Sequence, residues 1–79
     1  MRLPRDISST ELIKVLQKFG YHVCRQKGSH TRLTTLQKGE HYITIPNHNP
    51  IRLGTLSSII TDIAVHFKKT KEEMVINLF

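Results

Sequence analysis

Apolar residues recur at the spacing of an amphipathic helix near the start of the chain. They occupy positions i, i+3, i+4 and i+7 of one stretch, namely Leu12, Val15, Leu16 and Phe19. The S-x-x-E pattern from Ser8 to Glu11 is typical of a capping box, and Gly20 stands where a helix-ending glycine is expected. We therefore predict a first helix between Ser8 and Gly20.

The same spacing returns twice in the second half of the chain. Its longer instance predicts a second helix over residues 55–67, with an apolar stripe of Leu56, Ile59, Ile60, Ile63 and Phe67. A second capping pattern, from Thr70 to Glu73, precedes a shorter apolar set of Met74, Val75, Leu78 and Phe79. We expect a short third helix there.

Between the first two helices, apolar and polar residues alternate with a period of two in three short runs, which is typical of strands. The runs are residues 21–25, 30–36 and 41–45, and their short connections predict an antiparallel meander. If neither turn contains a bulge, the buried face carries Tyr21, Val23, Leu33, Ile43 and Ile45. The opposite, open face then carries His22, Cys24, His30, Arg32, Thr34, Tyr42 and Thr44.

The predicted order is a helix, three antiparallel strands, a helix and a short terminal helix. Helices on one face of such a sheet form an α+β sandwich with an open second face, the topology of the double-stranded-RNA-binding domain. A length of 79 residues allows one core, so we predict a single domain over 1–79. Residues 1–7 are expected to form an extended arm, because Pro4 disfavours helical geometry at Leu3.

The charged residues of the chain indicate which class of molecule it binds. Twelve lysines and arginines oppose six acidic residues, and the resulting net charge of +6 favours polyanions, nucleic acid first. The single cysteine excludes an internal disulfide and a cysteine-rich zinc site. No apolar run has the length of a membrane span, and no signal peptide is recognisable at the N-terminus, so a cytoplasmic protein without a membrane partner is expected.

The turn between the first two predicted strands, Arg25-Gln26-Lys27-Gly28-Ser29-His30, is the candidate functional site. Gly28 tolerates the positive φ that tight turns require, and Ser29 can bond the backbone of the turn. The turn therefore delivers His30 onto the start of a strand. On period-two counting, its side chain belongs to the open face.

This group of residues suits RNA cleavage, in which the 2′-hydroxyl of the substrate is the nucleophile. The protein then needs only a proton-transfer group and cations around the phosphate. His30 can act as a base or an acid near neutral pH. The side chains of Arg25, Lys27 and Arg32 can stabilise the charge of the transition state. No metal and no small-molecule cofactor are required.

Metal and thiol chemistry have less support. The chain contains five histidines but no H-E-x-x-H or Cys/His cluster, and period-two counting places His30 and His41 on opposite faces. A lone cysteine in a strand, such as Cys24, usually serves packing. We predict neither a metal site nor a catalytic thiol.

In motif order the chain resembles the HicA toxins, the YcfA-like mRNA interferases of HicAB toxin–antitoxin systems. The resemblance covers roughly residues 8–78 and is carried by Arg25-Gln26-Lys27-Gly28-Ser29-His30, Ile45-Pro46-Asn47-His48, and Leu53-Gly54-Thr55-Leu56 with Ile59 and Ile60. It implies a fold like the double-stranded-RNA-binding domain. It also implies ribosome-independent cleavage of mRNA and neutralisation by a HicB-like antitoxin protein.

The resemblance places His30 at the position of the family's catalytic histidine, with Gly28 and Ser29 as the turn that presents it. His48 corresponds to a second recurrent histidine, for which RNA binding and a bond to loop backbone are equally compatible with the sequence. Two functions stay open at this point. One is an endoribonuclease toxin, and the other is a non-catalytic RNA-binding module of the same fold. Only His30 in its basic turn favours the enzyme.

Overall fold

The computed structural model describes residues 3–79 of the chain, and this part folds into three helices and one sheet. In chain order the elements are α1 (Ser9–Phe19), β1 (His22–Lys27), β2 (His30–Thr35), β3 (His41–Pro46), α2 (Leu53–Phe67) and α3 (Lys71–Leu78). The strands pair antiparallel in the order β1-β2-β3. The predicted α+β order is confirmed, although α2 begins two residues earlier than predicted and β1 extends to Lys27.

Both predicted capping boxes are formed. Ser8 Oγ accepts a hydrogen bond from the Glu11 backbone N–H at 3.1 Å, and the Glu11 carboxylate accepts one from the Ser8 N–H at 3.1 Å. Thr70 and Glu73 make the same reciprocal pair at 3.0 Å. Accepting these backbone hydrogen bonds lowers the pKa of both glutamates below the usual value. Gly20 ends α1 in the left-handed region, with φ at 116°.

The helices cover one face of the sheet, and the core lies between these two layers. Its completely buried apolar side chains come from all three helices and the sheet: Leu12, Leu16, Tyr21, Leu33, Leu56, Ile60, Ile63 and Met74. The burial predicted for Tyr21 and Leu33, and for the two isoleucines of β3, is confirmed. The other sheet face carries exposed side chains in all three strands.

The burial predicted for Val23 is wrong, because this side chain is 42% exposed. Val23 pairs with Leu33, so it lies on the expected face of the sheet. However, β1 is an edge strand, and every one of its residues is exposed. A pattern of alternation identifies the face of a residue but not whether a helix extends far enough to cover it.

A bulge interrupts the alternation inside β1. Val23 pairs with Leu33 and Arg25 with Arg32. The step from one pair to the next therefore spans two residues in β1 but only one in β2. The extra residue is Cys24, whose thiol donates to the carbonyl of Arg32 at 3.5 Å. Such a bulge shifts the later residues of the strand to the opposite face. The predicted assignment of faces required only that the turns contain no bulge, whereas this bulge lies within a strand.

The arm before α1 is attached to the loop that follows β3. The Ile51 N–H donates to the carbonyl of Ile7 at 2.8 Å, and Ile7 is buried. In the same region Ser9 Oγ donates to Asn47 Oδ1 at 3.0 Å. The first two residues of the predicted arm 1–7 lie outside the described residues. The remaining arm is therefore part of the packed structure rather than a free extension.

Candidate functional site

His30 is the first residue of β2 and directly follows a two-residue turn. It pairs with Lys27 across this turn, and Gly28 has a φ of 57°. Positive φ is strained for residues with a side chain, so glycine suits the first loop position of a tight hairpin. The side chain of His30 is exposed on the open face, as predicted.

The bulge in β1 brings two cations onto the same face as His30. If the alternation continued from Val23 without interruption, Arg25 and Lys27 would lie on the covered face. Instead, Arg25 pairs with Arg32 and Lys27 pairs with His30, and directly paired residues project from the same side of a sheet. The bulge therefore assembles the basic cluster of the open face.

These side chains surround a shallow depression with a volume of about 250 Å³. It is lined by Arg25, Lys27, His30, Arg32 and Thr44. None of the residues in the three strands is acidic, so no carboxylate of the sheet competes for these cations. We call this set the basic depression. It offers an imidazole and three permanent positive charges to an anion of phosphate size.

Three of the predicted site residues lie next to the basic depression without lining it. Gly28 and Ser29 form the hairpin turn, and the Ser29 carbonyl accepts from the Asn47 N–H at 2.6 Å. This bond ties the turn to the loop after β3. His48 is exposed in that loop, and its backbone N–H donates to the carbonyl of Pro46 at 3.0 Å. Pro46 is the partner of His30 in β3, so His48 belongs to the same end of the sheet.

Two residues of the open face were not predicted as site residues. Thr44 pairs with Arg32 and lines the basic depression. The Arg32 guanidinium lies over the ring of Tyr42, with Cζ 5.5 Å from the ring centroid, a cation–π arrangement. The predicted sharing of a face by His30, Arg32 and Tyr42 is confirmed by the strand register. Period-two counting already assigned Tyr42 and Thr44 to this face, and the strand pairing was the missing information.

Two other histidines form a separate cluster at the opposite end of the sheet. The rings of His41 and His66 stack with centroids 4.4 Å apart. His41 Nδ1 is 2.8 Å from the hydroxyl of the buried Tyr21, and its Nε2 is 3.3 Å from Asp62. Burial, and secondly the Asp62 carboxylate, raises the pKa of Tyr21. We call these four residues the histidine stack; it is a structural network, since its central hydroxyl is inaccessible.

Within residues 3–79, no group of three or more histidine, cysteine, aspartate or glutamate side chains is arranged to hold a metal ion. In the same part of the chain, no helix combines the length and the apolar character needed to span a bilayer.

A known protein family matches this chain over most of its length. The family described as HicA toxin of bacterial toxin-antitoxin matches residues 9–65, which is more than half of the 79 residues. The chain belongs to the HicA toxin family. Neither the curated proteins nor the solved structures compared with it contain a match. The matched residues of this HicA toxin extend from the start of α1 into α2 and include every residue of the basic depression.

Membership in the HicA family makes this protein the toxin of a toxin–antitoxin pair, so an antitoxin partner is implied. The resemblance inferred from the motifs is thus confirmed at the level of the family. The family match spans the hairpin that presents His30 and the loop that carries His48.

Proposed function

We propose that this HicA toxin is a metal-independent endoribonuclease that cleaves mRNA, with His30 as its catalytic residue. The observation that carries the proposal is the position of His30 in the basic depression beside Arg25, Lys27 and Arg32. An mRNA substrate places the activity in the cytoplasm.

In the proposed reaction, the phosphodiester lies in the basic depression. His30 removes the proton of the ribose 2′-hydroxyl, and the resulting oxygen attacks the adjacent phosphorus. A bond forms between O2′ and phosphorus while the bond between phosphorus and O5′ breaks. The departing 5′-oxygen takes a proton from solvent or from the imidazolium. The products are a 2′,3′-cyclic phosphate and a 5′-hydroxyl.

The three cations have a distinct role in this scheme. Negative charge on the phosphoryl oxygens grows during attack, and positioned guanidinium and ammonium groups stabilise it more in the transition state than in the ground state. Arg25 and Arg32 are paired across β1 and β2 and can approach one phosphate from two sides. Lys27 adds a third charge beside His30. Gly28, Ser29 and His48 border the same end and would contact the RNA strand as it leaves the depression.

The test is cleavage of a defined single-stranded RNA by the purified toxin, with the products identified by mass. We expect cleavage to persist in excess EDTA and to yield the cyclic phosphate. The matched control is the same oligonucleotide with a single 2′-deoxy residue at the scissile position, which should resist. Activity that requires added Mg²⁺ would exclude the metal-independent mechanism with His30 alone, and cutting of the deoxy substrate would exclude attack by the 2′-hydroxyl.

The same surface indicates which charge the antitoxin partner presents to the toxin. A HicB-like antitoxin that blocks the toxin must cover the basic depression or its rim, so we infer an acidic contact surface on the antitoxin. Opposite charges accelerate association through long-range attraction. Raising salt from about 50 to 500 mM shortens the Debye length several-fold and should slow association far more than it changes dissociation.

A second candidate function is a non-catalytic RNA-binding module, which the charge of the open face also supports. Such a module retains RNA affinity but releases no product in the cleavage assay. Binding without cleavage, by a toxin preparation that is folded and free of antitoxin, would favour this alternative.

A further inference from the structure

The strand register arranges the open face in three cross-strand rows. The row at the hairpin contains Lys27, His30 and Pro46, the middle row contains Arg25, Arg32 and Thr44, and the far row contains His22, Thr34 and Tyr42. Rows are two residues apart along β2 and β3, so the far row lies about 14 Å from the hairpin row. A strand of RNA crossing the basic depression from His30 toward Arg32 next encounters Tyr42.

The far row differs chemically from the other two. The three permanent cations of the open face belong to the hairpin and middle rows, whereas Glu40 is located immediately before β3, beside Tyr42. Hydrogen bonding to the Glu40 carboxylate, with its negative charge, raises the pKa of Tyr42. A phosphate is attracted to the depression and disfavoured near Glu40. The uncharged part of a nucleotide, its base, is the group that suits the far row.

Tyr42 is placed to receive such a base. Its side chain is 46% exposed, on a face where the neighbouring side chains in register are Thr34 and the Thr44 two residues along. These residues are short, so they leave space around the ring. The cation–π contact with Arg32 joins the ring to the basic depression, since the same guanidinium lines it. An aromatic ring beside a phosphate-binding cation is the arrangement by which proteins hold single-stranded RNA.

We propose that Tyr42 is a stacking platform for one nucleobase of a single-stranded RNA substrate, at a nucleotide near the cleaved bond but not at it. This inference rests on the proposed function, because it specifies how the RNA lies on the open face. It identifies the substrate class as unpaired RNA, since a base within a duplex has no free face for stacking on Tyr42. Arg32 connects the two subsites.

The test measures RNA affinity in the H30A background, where the substrate is bound but not cut. Fluorescence anisotropy with a labelled single-stranded oligoribonucleotide compares Y42A with Y42F. Base–aromatic stacking predicts about 5- to 100-fold weaker binding for Y42A and nearly unchanged binding for Y42F. The matched control is Phe79→Ala, which removes a similarly exposed aromatic ring, 43% against 46%, from the C-terminal end of α3. It should bind RNA normally.

Salt dependence separates stacking from an indirect effect through Arg32. Losing a phosphate contact reduces the slope of log affinity against log salt by about 0.7 for single-stranded nucleic acid. Y42A should leave this slope unchanged, whereas Arg25→Gln should lower it. A lower slope for Y42A would mean that Tyr42 only positions Arg32, and the stacking proposal would be overturned.

Abasic substitution tests the contact from the RNA side and needs no variant that must fold. When the bases of the RNA are removed one at a time, binding to the toxin that retains Tyr42 should weaken at a single position. The same removal should have little further effect in Y42A, because the two changes delete the same interaction. Equal losses in both proteins at every position would refute stacking on Tyr42.

Failure of this inference is distinguishable from failure of the proposed function. If the toxin with His30 intact cleaves RNA and Y42A binds it as tightly as its parent, only the stacking platform is wrong. If Y42A loses affinity for the antitoxin alone, Tyr42 is a protein contact and the inference is likewise overturned. If the toxin neither binds nor cleaves RNA, both proposals fall.

Discussion

The two ends of the sheet use histidine in opposite ways. At the hairpin end, His30 is exposed and lines a depression together with three permanent cations. At the other end, His41 bridges the buried Tyr21 hydroxyl and the Asp62 carboxylate and stacks on His66. The ring chemistry is the same at both ends. The surroundings differ in burial, in the charge of the neighbours and in whether the ring nitrogens are occupied.

This difference indicates which histidine can act on a substrate. Both ring nitrogens of His41 already lie within hydrogen-bond distance of protein atoms, so its imidazole serves the fold. The imidazole of His30 is exposed, and the guanidinium groups of Arg25 and Arg32 line the same depression. A free imidazole next to fixed cations has the composition of a catalytic site, whereas an imidazole whose two nitrogens contact the buried Tyr21 hydroxyl and the Asp62 carboxylate has that of a structural element.

The largest expected effect separates the two histidines by activity. His30→Ala should reduce RNA cleavage by about 10²- to 10⁴-fold, the usual contribution of a general acid–base, and abolish growth inhibition. Its free energy of unfolding should change little, because an exposed side chain is removed. Cleavage kinetics and denaturant unfolding of the same preparation measure the two quantities.

The matched variant is His41→Ala at the other end. It should retain cleavage at a temperature where it is folded, but lose about 1–3 kcal/mol of stability, because the buried Tyr21 hydroxyl loses its partner. If His30→Ala cuts at the normal rate, His30 is not the catalyst. If His41→Ala abolishes cleavage in a folded protein, the other end of the sheet takes part in catalysis.

The next effect concerns the charged surface. Charge reversal at Arg32 should weaken both RNA and antitoxin binding by about tenfold or more, since both ligands are expected on the open face. Charge reversal at Lys14, which is exposed on α1 in the opposite layer, should leave both affinities unchanged. Titration of each variant with a non-cleavable RNA and with antitoxin provides the measurement. Sensitivity at Lys14 instead would locate that ligand on the helical side.

The smallest expected effect tests the histidine stack through pH. The pKa of Tyr21 is raised by burial, so as pH rises above the ordinary tyrosine value of about 10, the unfolded chain loses this proton before the folded one. Stability that is fully present below pH 10 should therefore decline above it. Tyr21→Phe should be about 1 kcal/mol less stable at neutral pH and show a weaker alkaline decline.

The control for this measurement is Tyr42→Phe on the open face, since Tyr42 is 46% exposed whereas Tyr21 is completely buried. This variant should keep most of the loss of stability that the unmodified toxin shows above pH 10. A decline that disappears in Tyr42→Phe and persists in Tyr21→Phe would place the responsible proton on the open face and contradict the description of the histidine stack.

Local pattern was sufficient for most of the architecture. Helix positions followed from apolar spacing and from the two capping boxes, whose hydrogen bonds depend only on residues three apart. The turn at Gly28 was predictable because a positive φ there requires a residue without a side chain. His30 was selected from its basic turn, and the family match agrees with the motifs around it.

The sequence by itself therefore determined the order of the elements, the face of β2 and β3, and the position of the candidate histidine. The basic turn already grouped Arg25 and Lys27 with His30, but only the tertiary structure decided that they share its face of the sheet, because a bulge at Cys24 depends on pairing with a distant strand. It also decided the exposure of Val23, which depends on the extent of the helical layer, and the contact of Arg32 with Tyr42. These features arise from strand register and coverage, which no local pattern contains.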